Sequence, residues 1–279
     1  MKAKIIKIIK TIWSLSKFGL MLLGAFVVVL FVLHELGLTN VPGSITRTTK
    51  NKSESIAKTQ EEKLQKYPWL TSREWNVVKT GLSDDQVTIN NVATQVGLSP
   101  RIIAGPIIGE QIRFFTTDRG QFESYFEPVK KFINLSQFSY GIAGIKPDTA
   151  LFVEEQLKNP TSKFYLGEKY AHMLDYAPGV NVDNERIKRL NDESHRYSYL
   201  YVALIKKMLI EQWKKAGFDI SKDPGVIASL YNIGFSASKP HANPGIGGVP
   251  ITIDGKTYSF GELADDFYWS GELVEYFKY

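Results

Sequence analysis

An uncharged apolar run near the start of the chain limits most strongly what this protein can fold into. Residues 18–33 contain no charged side chain, and the run extends over residues 12–33 if Lys17 turns its ammonium group toward the membrane surface. At about 1.5 Å per residue, these lengths give helices of about 24 and about 33 Å, close to the roughly 30 Å hydrocarbon core of a bilayer. The run has no polar face, which is atypical of a helix packed in a soluble domain. It predicts one transmembrane helix.

The charges that flank the run predict its orientation. Five lysines and no acidic residue lie within residues 1–17. Cytoplasmic flanks of membrane helices are enriched in Lys and Arg, so the N-terminus is expected in the cytoplasm and residues 37–279 outside it. We therefore expect a single-pass membrane protein, bound to the bilayer through its N-terminal helix, with its C-terminal domain outside the cytoplasm. A cleaved signal peptide is the alternative, although no small-x-small cleavage pattern follows Leu33.

The same lysines account for the net charge of the chain. The 279 residues have a formal net charge of +5, whereas residues 18–279 hold equal numbers of basic and acidic side chains. Non-specific nucleic-acid affinity comes mainly from clustered Lys and Arg that contact phosphates. The charge pattern therefore argues against a nucleic-acid partner.

Residue types that commonly hold metals are scarce or scattered. The chain has no cysteine, which excludes a disulfide framework, Cys-ligated zinc and thiol catalysis. The four histidines are scattered and form no metal-binding motif, and no carboxylate-rich calcium loop is present. A Gly-x-Ser-x-Gly elbow, which would indicate a Ser-His-Asp hydrolase, is also missing. We expect no metal and no cofactor.

Beyond the apolar run, the pattern predicts a tether and one mainly helical domain. Residues 37–56 are rich in Gly, Pro, Ser, Thr and Asn, and a polar helix is predicted from about Ser53 to Tyr67. The expected organisation is a cytoplasmic start and membrane helix over 1–36, a tether and polar helix over 37–67, and a folded domain over 68–279. Helical segments of the domain are predicted near Trp75, at Thr88 to Val96, Pro100 to Phe115, Phe122 to Phe132, Thr149 to Lys158 and Ser194 to Ala216.

Two local sequence signals predict a helix start and a β-hairpin within this domain. Ser99 followed by Pro100 is typical of a helix start, since Ser is a good N-cap and Pro fits the first turn. Alternating residues around Asp254-Gly255 predict a β-hairpin over about 249–260.

Glu110 is the first candidate catalytic residue. It lies near the end of the predicted apolar helix, where its neighbours at three and four positions are Pro106, Ile107, Arg113 and Phe114. Apolar surroundings disfavour the charged form of a carboxyl group, which is how a general acid stays protonated near neutral pH. Arg113 has the opposite effect if it points toward the carboxylate. A glutamate on the solvent-facing side of a helix is the alternative interpretation.

Two further segments carry candidate binding residues. The first, residues 139–150, is a Gly-rich turn that leads through Pro147 into a helix, and a loop with a helix start explains it equally well. The second, residues 227–234, is an apolar helix that ends in Tyr231-Asn232 and a glycine. A core tyrosine and a helix C-cap are the alternative there.

Taken together and in this order, the three segments resemble lysozyme-like lytic transglycosylases that carry the soluble-lytic-transglycosylase domain. Gly97-Leu-Ser-Pro-Arg-Ile-Ile-Ala-Gly-Pro-Ile-Ile-Gly-Glu110 is similar to the family's helix Gly-Val-x-Pro-x-Leu-Ile-x-Ala-x-Ile-x-x-Glu, which brings in the single catalytic Glu. Gly141-Ile-Ala-Gly-Ile-Lys-Pro-Asp-Thr-Ala150 is similar to Gly-Leu-Met-Gln-Ile-x-Pro-x-Thr-Ala, and Leu230-Tyr-Asn-Ile-Gly234 to Ala-Tyr-Asn-x-Gly. The resemblance covers roughly residues 88–235.

The resemblance implies a lysozyme-like, mainly α fold with a small C-terminal β-hairpin, and peptidoglycan glycan strands as the substrate. Together with the predicted orientation, it implies a single-pass protein of the inner (cytoplasmic) membrane with its C-terminal domain in the periplasm or cell-wall space. Glu110 would protonate the glycosidic oxygen between N-acetylmuramic acid (MurNAc) and N-acetylglucosamine (GlcNAc). The same carboxylate would then act as base on the muramoyl 6-hydroxyl, which closes a 1,6-anhydro ring. The residues expected to bind substrate or border the cleft are Gln111, Ser139, Tyr140, Gly141, Tyr231 and Asn232.

The chain departs from the family pattern at three places. The family's Ser after the catalytic Glu is Gln111, its Met-Gln pair is Ala143-Gly144, and an inserted segment is expected over about 116–136. These departures indicate a divergent branch. They leave two alternatives open, namely a catalytically inactive glycan-binding scaffold of the cell wall and a hydrolytic muramidase that uses water.

The membrane helix can be tested by the mass of the mature protein. We expect protein extracted from membranes to retain residues 18–33, because no cleavage pattern follows them. Intact mass spectrometry will show this directly. A mature N-terminus beyond Leu33 would show instead that the run is a cleaved signal peptide.

Overall fold

A computed structural model describes residues 60–116 and 141–279, together with Lys17, Met21, Gly24, Val28 and the pair Ser44–Ile45. The helix predicted at Phe122 to Phe132 and the expected insertion lie outside these residues. The chain divides into two compact units, Met1–Pro42 and Gly43–Tyr279.

The predicted transmembrane helix also falls almost entirely outside the described residues. Its four described positions, Lys17, Met21, Gly24 and Val28, are helical and exposed. Within the described part of the chain, no helix is both long enough and apolar enough to cross a bilayer.

The unit from Gly43 onward is mainly helical, with a small antiparallel strand pair near the C-terminus, as the sequence predicts. Its α-helices are α1 (Gln60–Lys66), α2 (Arg73–Asp84), α3 (Gln86–Val96), α4 (Pro100–Thr116), α5 (Pro147–Lys158), α6 (Glu168–Ala171), α7 (Val182–Leu190), α8 (Arg196–Lys215), α9 (Pro224–Ile233) and α10 (Phe260–Ser270). Short 3-10 helices lie at Pro68–Thr71 and Phe235–Ala237. The strands are β1 (Ser44–Ile45), β2 (Gly247–Gly248), β3 (Pro250–Ile253) and β4 (Lys256–Ser259).

The predicted hairpin is confirmed, since β3 pairs antiparallel with β4. Asp254 and Gly255 form its two-residue turn with positive φ values of 48° and 76°, which match the right-handed twist of the two strands. The segment predicted as a tether contributes strand β1, which pairs with β2. Backbone pairing of this kind requires no particular side chains, so its composition did not reveal it.

Helix α8 forms the centre of the domain and contacts α3, α4, α5, α7 and α9. The sequence predicts one apolar stripe along it, formed by Tyr197, Leu200, Tyr201, Leu204, Ile205, Met208 and Leu209. The structure instead buries side chains on all of its faces, including Lys206 and Gln212. The polar side chains inside therefore need partners in the protein. The amide of Gln212 donates to the carbonyl oxygen of Ser238 at 3.1 Å and provides one of these contacts.

The C-terminal helix α10 packs against both α4 and α9, although the helical segments predicted from the sequence do not include it. Its start has a capping box, in which the Ser259 side chain accepts from the Glu262 N–H and the Glu262 carboxylate accepts from the Ser259 N–H. Small residues allow the close approach to α4. A β-carbon at Gly105 would lie 3.1 Å from the β-carbon of Ala264, and one at Gly109 would lie 2.6 Å from the ring of Phe260.

Arg101 fixes helix α4 to the C-terminal segment. Its guanidinium is fully buried and donates to the carbonyl oxygens of Phe267, Tyr268, Glu272 and Phe277. Three of these carbonyls lie at or just beyond the last turn of α10, where backbone acceptors lack partners within the helix. From the first turn of α4, the buried guanidinium therefore donates hydrogen bonds to carbonyl groups at the C-terminal end of α10.

Helix α4 also contains an internal proline whose effect is compensated by a buried lysine. Pro106 has no N–H, so the carbonyl of Ile102, four residues earlier, lacks its helical hydrogen bond. The Nζ group of Lys206 donates to this carbonyl. Burial lowers the pKa of Lys206 well below its ordinary value, which favours the neutral amine at this position.

A double-mutant cycle tests this compensation. Lys206→Met leaves the Ile102 carbonyl without a donor, whereas Pro106→Ala supplies the missing backbone N–H. We expect Lys206→Met to reduce the free energy of unfolding by at least about 1 kcal/mol more in the wild-type background than in the Pro106→Ala background. Chemical denaturation of the full chain in detergent measures both values. The neighbouring change Lys207→Met is the control, and equal costs of Lys206→Met in the two backgrounds would contradict the compensation.

Candidate active site

A cleft of about 870 Å³ lies between helices α4, α5 and α9 and the loops that follow them. Its volume falls within the range of ligand-binding clefts. Described residues that line it are Glu110, Gly144, Ile145, Lys146, Asp148, Thr149, Phe152, Gln156, Ser162, Lys163, Phe164, Ile205, Leu230, Tyr231, Asn232, Ile233, Gly234, Phe235 and Ser236. The cleft thus joins parts of all three segments on which the family resemblance rests.

Glu110 enters the cleft from helix α4. The helix is held in the core by buried Ile107, Ile108 and Ile112, while the Glu110 side chain is only partly buried. The carboxyl group therefore has one side toward the protein and one toward the cleft. This is the placement that a proton donor to a bound substrate requires.

The loop of residues 141–145 forms the wall beside Glu110. Gln111 donates from Nε2 to the carbonyl oxygen of Ile142 at 2.7 Å. Tyr231 donates from its hydroxyl to the carbonyl oxygen of Ala143, also at 2.7 Å. Because these carbonyls are adjacent in the chain, helices α4 and α9 together fix the backbone that faces Glu110.

Gly141 and Gly144 give this loop its shape, since both have left-handed φ values of 64° and 60°. A β-carbon at Gly141 would lie 2.0 Å from the carbonyl oxygen of Leu190, so the start of the loop packs directly on the end of α7. Only glycine fits such a close backbone approach with this φ angle.

Tyr231 lies close enough to Glu110 for the two groups to interact electrostatically. Burial, and after it the negative charge of Glu110, raises the pKa of the Tyr231 phenol well above its ordinary value of 10.0. The ring stacks on Phe260 with a centroid distance of 6.4 Å. The phenol therefore stays protonated at physiological pH and donates its hydrogen bond to the loop.

Asn232 lines the cleft and also braces the strand region behind it. Its Oδ1 accepts a hydrogen bond from the backbone N–H of Val249 at 2.9 Å. A β-carbon at Gly248 would lie 2.9 Å from the same oxygen, so the backbone passes closely over the amide. Helix α9 ends at Ile233, the residue after Asn232, and Gly234 is its C-cap with a φ of 86°.

One part of the cleft wall is aromatic. The rings of Phe152, Phe164 and Phe235 contact one another, with centroid distances of 4.9 to 5.7 Å. Phe164 is buried, whereas Phe152 and Phe235 are partly exposed. They give this part of the cleft wall an apolar surface.

Charged residues that the sequence analysis did not single out also line the cleft. Asp148 lies exposed in the first turn of α5, where the helix dipole favours negative charge. Lys146 precedes it, and Lys163 follows the helix. The Pro147 helix start was visible in the sequence, but which side of the turn faces the cleft depends on the fold of the loop.

The predicted site residues thus have different positions. Glu110, Tyr231 and Asn232 line the cleft. Gln111 and Gly141 lie beside it, where they hold and shape the loop of residues 141–145. Ser139 and Tyr140 fall outside the described residues.

In the part of the chain that the structure describes, His, Asp and Glu side chains do not form a group of three or more that would hold a metal ion. The chain matches no protein-family model, no curated protein and no solved structure. The site is therefore interpreted from its own geometry and chemistry.

The hydrogen bond of Tyr231 to the loop predicts a loss of stability in Tyr231→Phe. We expect the free energy of unfolding to fall by about 1 kcal/mol near pH 7, because the Ala143 carbonyl loses its donor. Chemical denaturation of the full chain in detergent measures this. Tyr276→Phe is the control, since that hydroxyl makes no hydrogen bond within the described residues.

The raised pKa of Tyr231 adds a pH dependence with a defined sign. Above about pH 10 the unfolded chain loses a phenolic proton that the folded chain retains, so stability falls as the pH rises. Tyr231→Phe removes this contribution, and we expect its stability to fall less steeply above about pH 10 than that of Tyr276→Phe. Equal slopes for the two variants would contradict the raised pKa.

Proposed function

We propose that this protein is a peptidoglycan lytic transglycosylase with a lysozyme-like catalytic domain. The observation that carries the proposal is the convergence of three distant segments on one cleft. Glu110, Gly144 and the pair Tyr231-Asn232 come from separate parts of the chain and line the same cavity. Their motifs resemble those of the transglycosylase family in the same order, which supports a shared site.

Glu110 is the proposed general acid and base. It is partly buried and lines the cleft, so a proton on its carboxyl group can be delivered to a glycosidic oxygen bound there. After the bond between MurNAc and GlcNAc breaks, the carboxylate takes the proton of the muramoyl 6-hydroxyl. That oxygen attacks the anomeric carbon, which closes the 1,6-anhydro ring and returns the proton to Glu110.

Asp148 is the other carboxylate among the described cleft residues, and its position bears on the choice between transglycosylation and hydrolysis. Glycosidases with two carboxylates use the second one as nucleophile or to activate water. Asp148 is exposed at a helix N-terminus, whereas Glu110 is partly enclosed. This contrast favours Glu110 as the single acid and base, with Asp148 as a solvated charge at the cleft rim.

We also propose that the apolar run near the N-terminus holds the domain at the outer face of the cytoplasmic membrane. The five lysines within residues 1–17 and the absence of Lys and Arg from residues 34–46 support this orientation. Glycan strands of the cell wall are then within reach of the cleft.

Digestion of purified peptidoglycan tests the proposal. We expect the full chain in detergent to release muropeptides with 1,6-anhydro ends, and Glu110→Gln to lower the rate by at least about 1000-fold because the carboxylate performs both proton transfers. Mass spectrometry of the products gives the readout. Glu155→Gln is the matched control, since Glu155 is an exposed carboxylate on α5 that does not line the cleft.

The products also distinguish the alternatives. Reducing ends in place of anhydro ends would identify a hydrolytic muramidase, and Asp148→Asn would then be expected to abolish activity as well. If wild-type protein binds glycan but yields no product, the domain is a scaffold and the proposed reaction is wrong.

A further inference from the structure

Gly144 occupies an unusual place beside Glu110. A β-carbon added at this glycine would lie 2.6 Å from Oε2 of Glu110 and 3.0 Å from its Cδ. The carboxyl group therefore rests in the space that any other residue would fill with its side chain. The motif that this segment resembles has glutamine at the same position, whereas this chain has glycine.

The loop that carries Gly144 is held at several points. Gln111 and Tyr231 hold the two preceding carbonyl groups, and the flanking side chains of Ala143 and Ile145 are buried. The carboxyl group lies at the end of a side chain with three rotatable bonds, so a change in side-chain angles can move it without moving the backbone. If a side chain is added at position 144, we therefore expect the carboxyl group to move and the loop to stay.

We propose that Gly144 is a positioning residue, which by lacking a side chain lets the Glu110 carboxyl group lie against the loop and face the cleft in the orientation needed for proton transfer. This inference rests on the proposed function of Glu110. The glycine that stands where the family motif has glutamine leaves the space that the carboxyl group occupies. A misplacement of about 1 Å at a reacting group costs about 100-fold in rate, so the effect on catalysis is measurable.

Gly144→Ala tests the proposal, and Gly97→Ala is the matched control. Both glycines have left-handed backbones, with φ values of 60° and 71°, so alanine strains both positions similarly. A β-carbon at Gly97, however, has no atom within 4 Å. We expect Gly144→Ala in the full chain to lower kcat at least about tenfold, to change KM by less than about twofold, and to shift the pH profile of kcat/KM. Gly97→Ala should leave all three close to wild type.

A second readout does not depend on activity. In protein labelled with ¹³C at the glutamate carboxyl carbon, the Glu110 signal is identified by its loss in Glu110→Gln. We expect its chemical shift and titration midpoint to change in Gly144→Ala and to stay unchanged in Gly97→Ala. An unchanged Glu110 signal in Gly144→Ala would overturn the proposal. If wild-type protein cleaves no glycan, the proposed function fails, while the NMR comparison still decides whether Gly144 sets the position of the carboxyl group.

A third variant covers the case in which Gly144→Ala does not fold. The contact is with the Glu110 side chain, so Glu110→Ala removes it. We expect Gly144→Ala combined with Glu110→Ala to fold, with a melting temperature close to that of Gly97→Ala combined with Glu110→Ala. Failure of that rescue would show that the backbone of the loop, and not the carboxyl group, requires glycine, and would overturn the proposal.

Discussion

The buried guanidinium of Arg101 is the interaction on which the placement of the cleft depends. It joins the first turn of helix α4 to four backbone carbonyls in and beyond α10, and it packs between the rings of Phe267 and Tyr279 at 4.5 and 4.8 Å. A buried cation is tolerated only where hydrogen bonds replace its hydration, and these carbonyls supply them. Because Glu110 lies on the same helix, the contact also fixes where the carboxyl group enters the cleft.

The walls of the cleft are held by hydrogen bonds between side chains and backbone groups. Gln111 and Tyr231 donate hydrogen bonds to carbonyl groups of the loop of residues 141–145. The amide oxygen of Asn232 accepts one from the backbone N–H of Val249. Gln111, Tyr231 and Asn232 therefore stabilise the fold around the cleft, in addition to any contact with substrate. Variants at these positions consequently need a measurement of stability beside one of activity.

Several elements of the fold were predictable because their signals are local. The start of α4 at Pro100, the end of α3 before Gly97 and the Asp254-Gly255 turn follow from the preferences of single residues for particular backbone angles. Helix α10 was missed, although its Ser259-x-x-Glu262 capping box is itself a local signal. The pairing of β1 with β2 had no such signal, since it is made between backbones far apart in the chain.

The sequence alone determined the apolar run, the charge asymmetry around it, the helical character of the domain and the choice of Glu110 as the candidate acid. The first three follow from composition and periodicity, which are properties of neighbouring residues, whereas the choice of Glu110 also rests on the resemblance of its segment to the transglycosylase helix. Only the tertiary structure decided that Lys206 donates to the carbonyl group that Pro106 leaves without a helical hydrogen bond. It also decided that Asp148 lines the same cleft as Glu110, and that the absence of a side chain at Gly144 leaves space for the Glu110 carboxyl group. Each of these depends on distances between segments that the chain brings together by folding, and such distances leave no trace in local pattern.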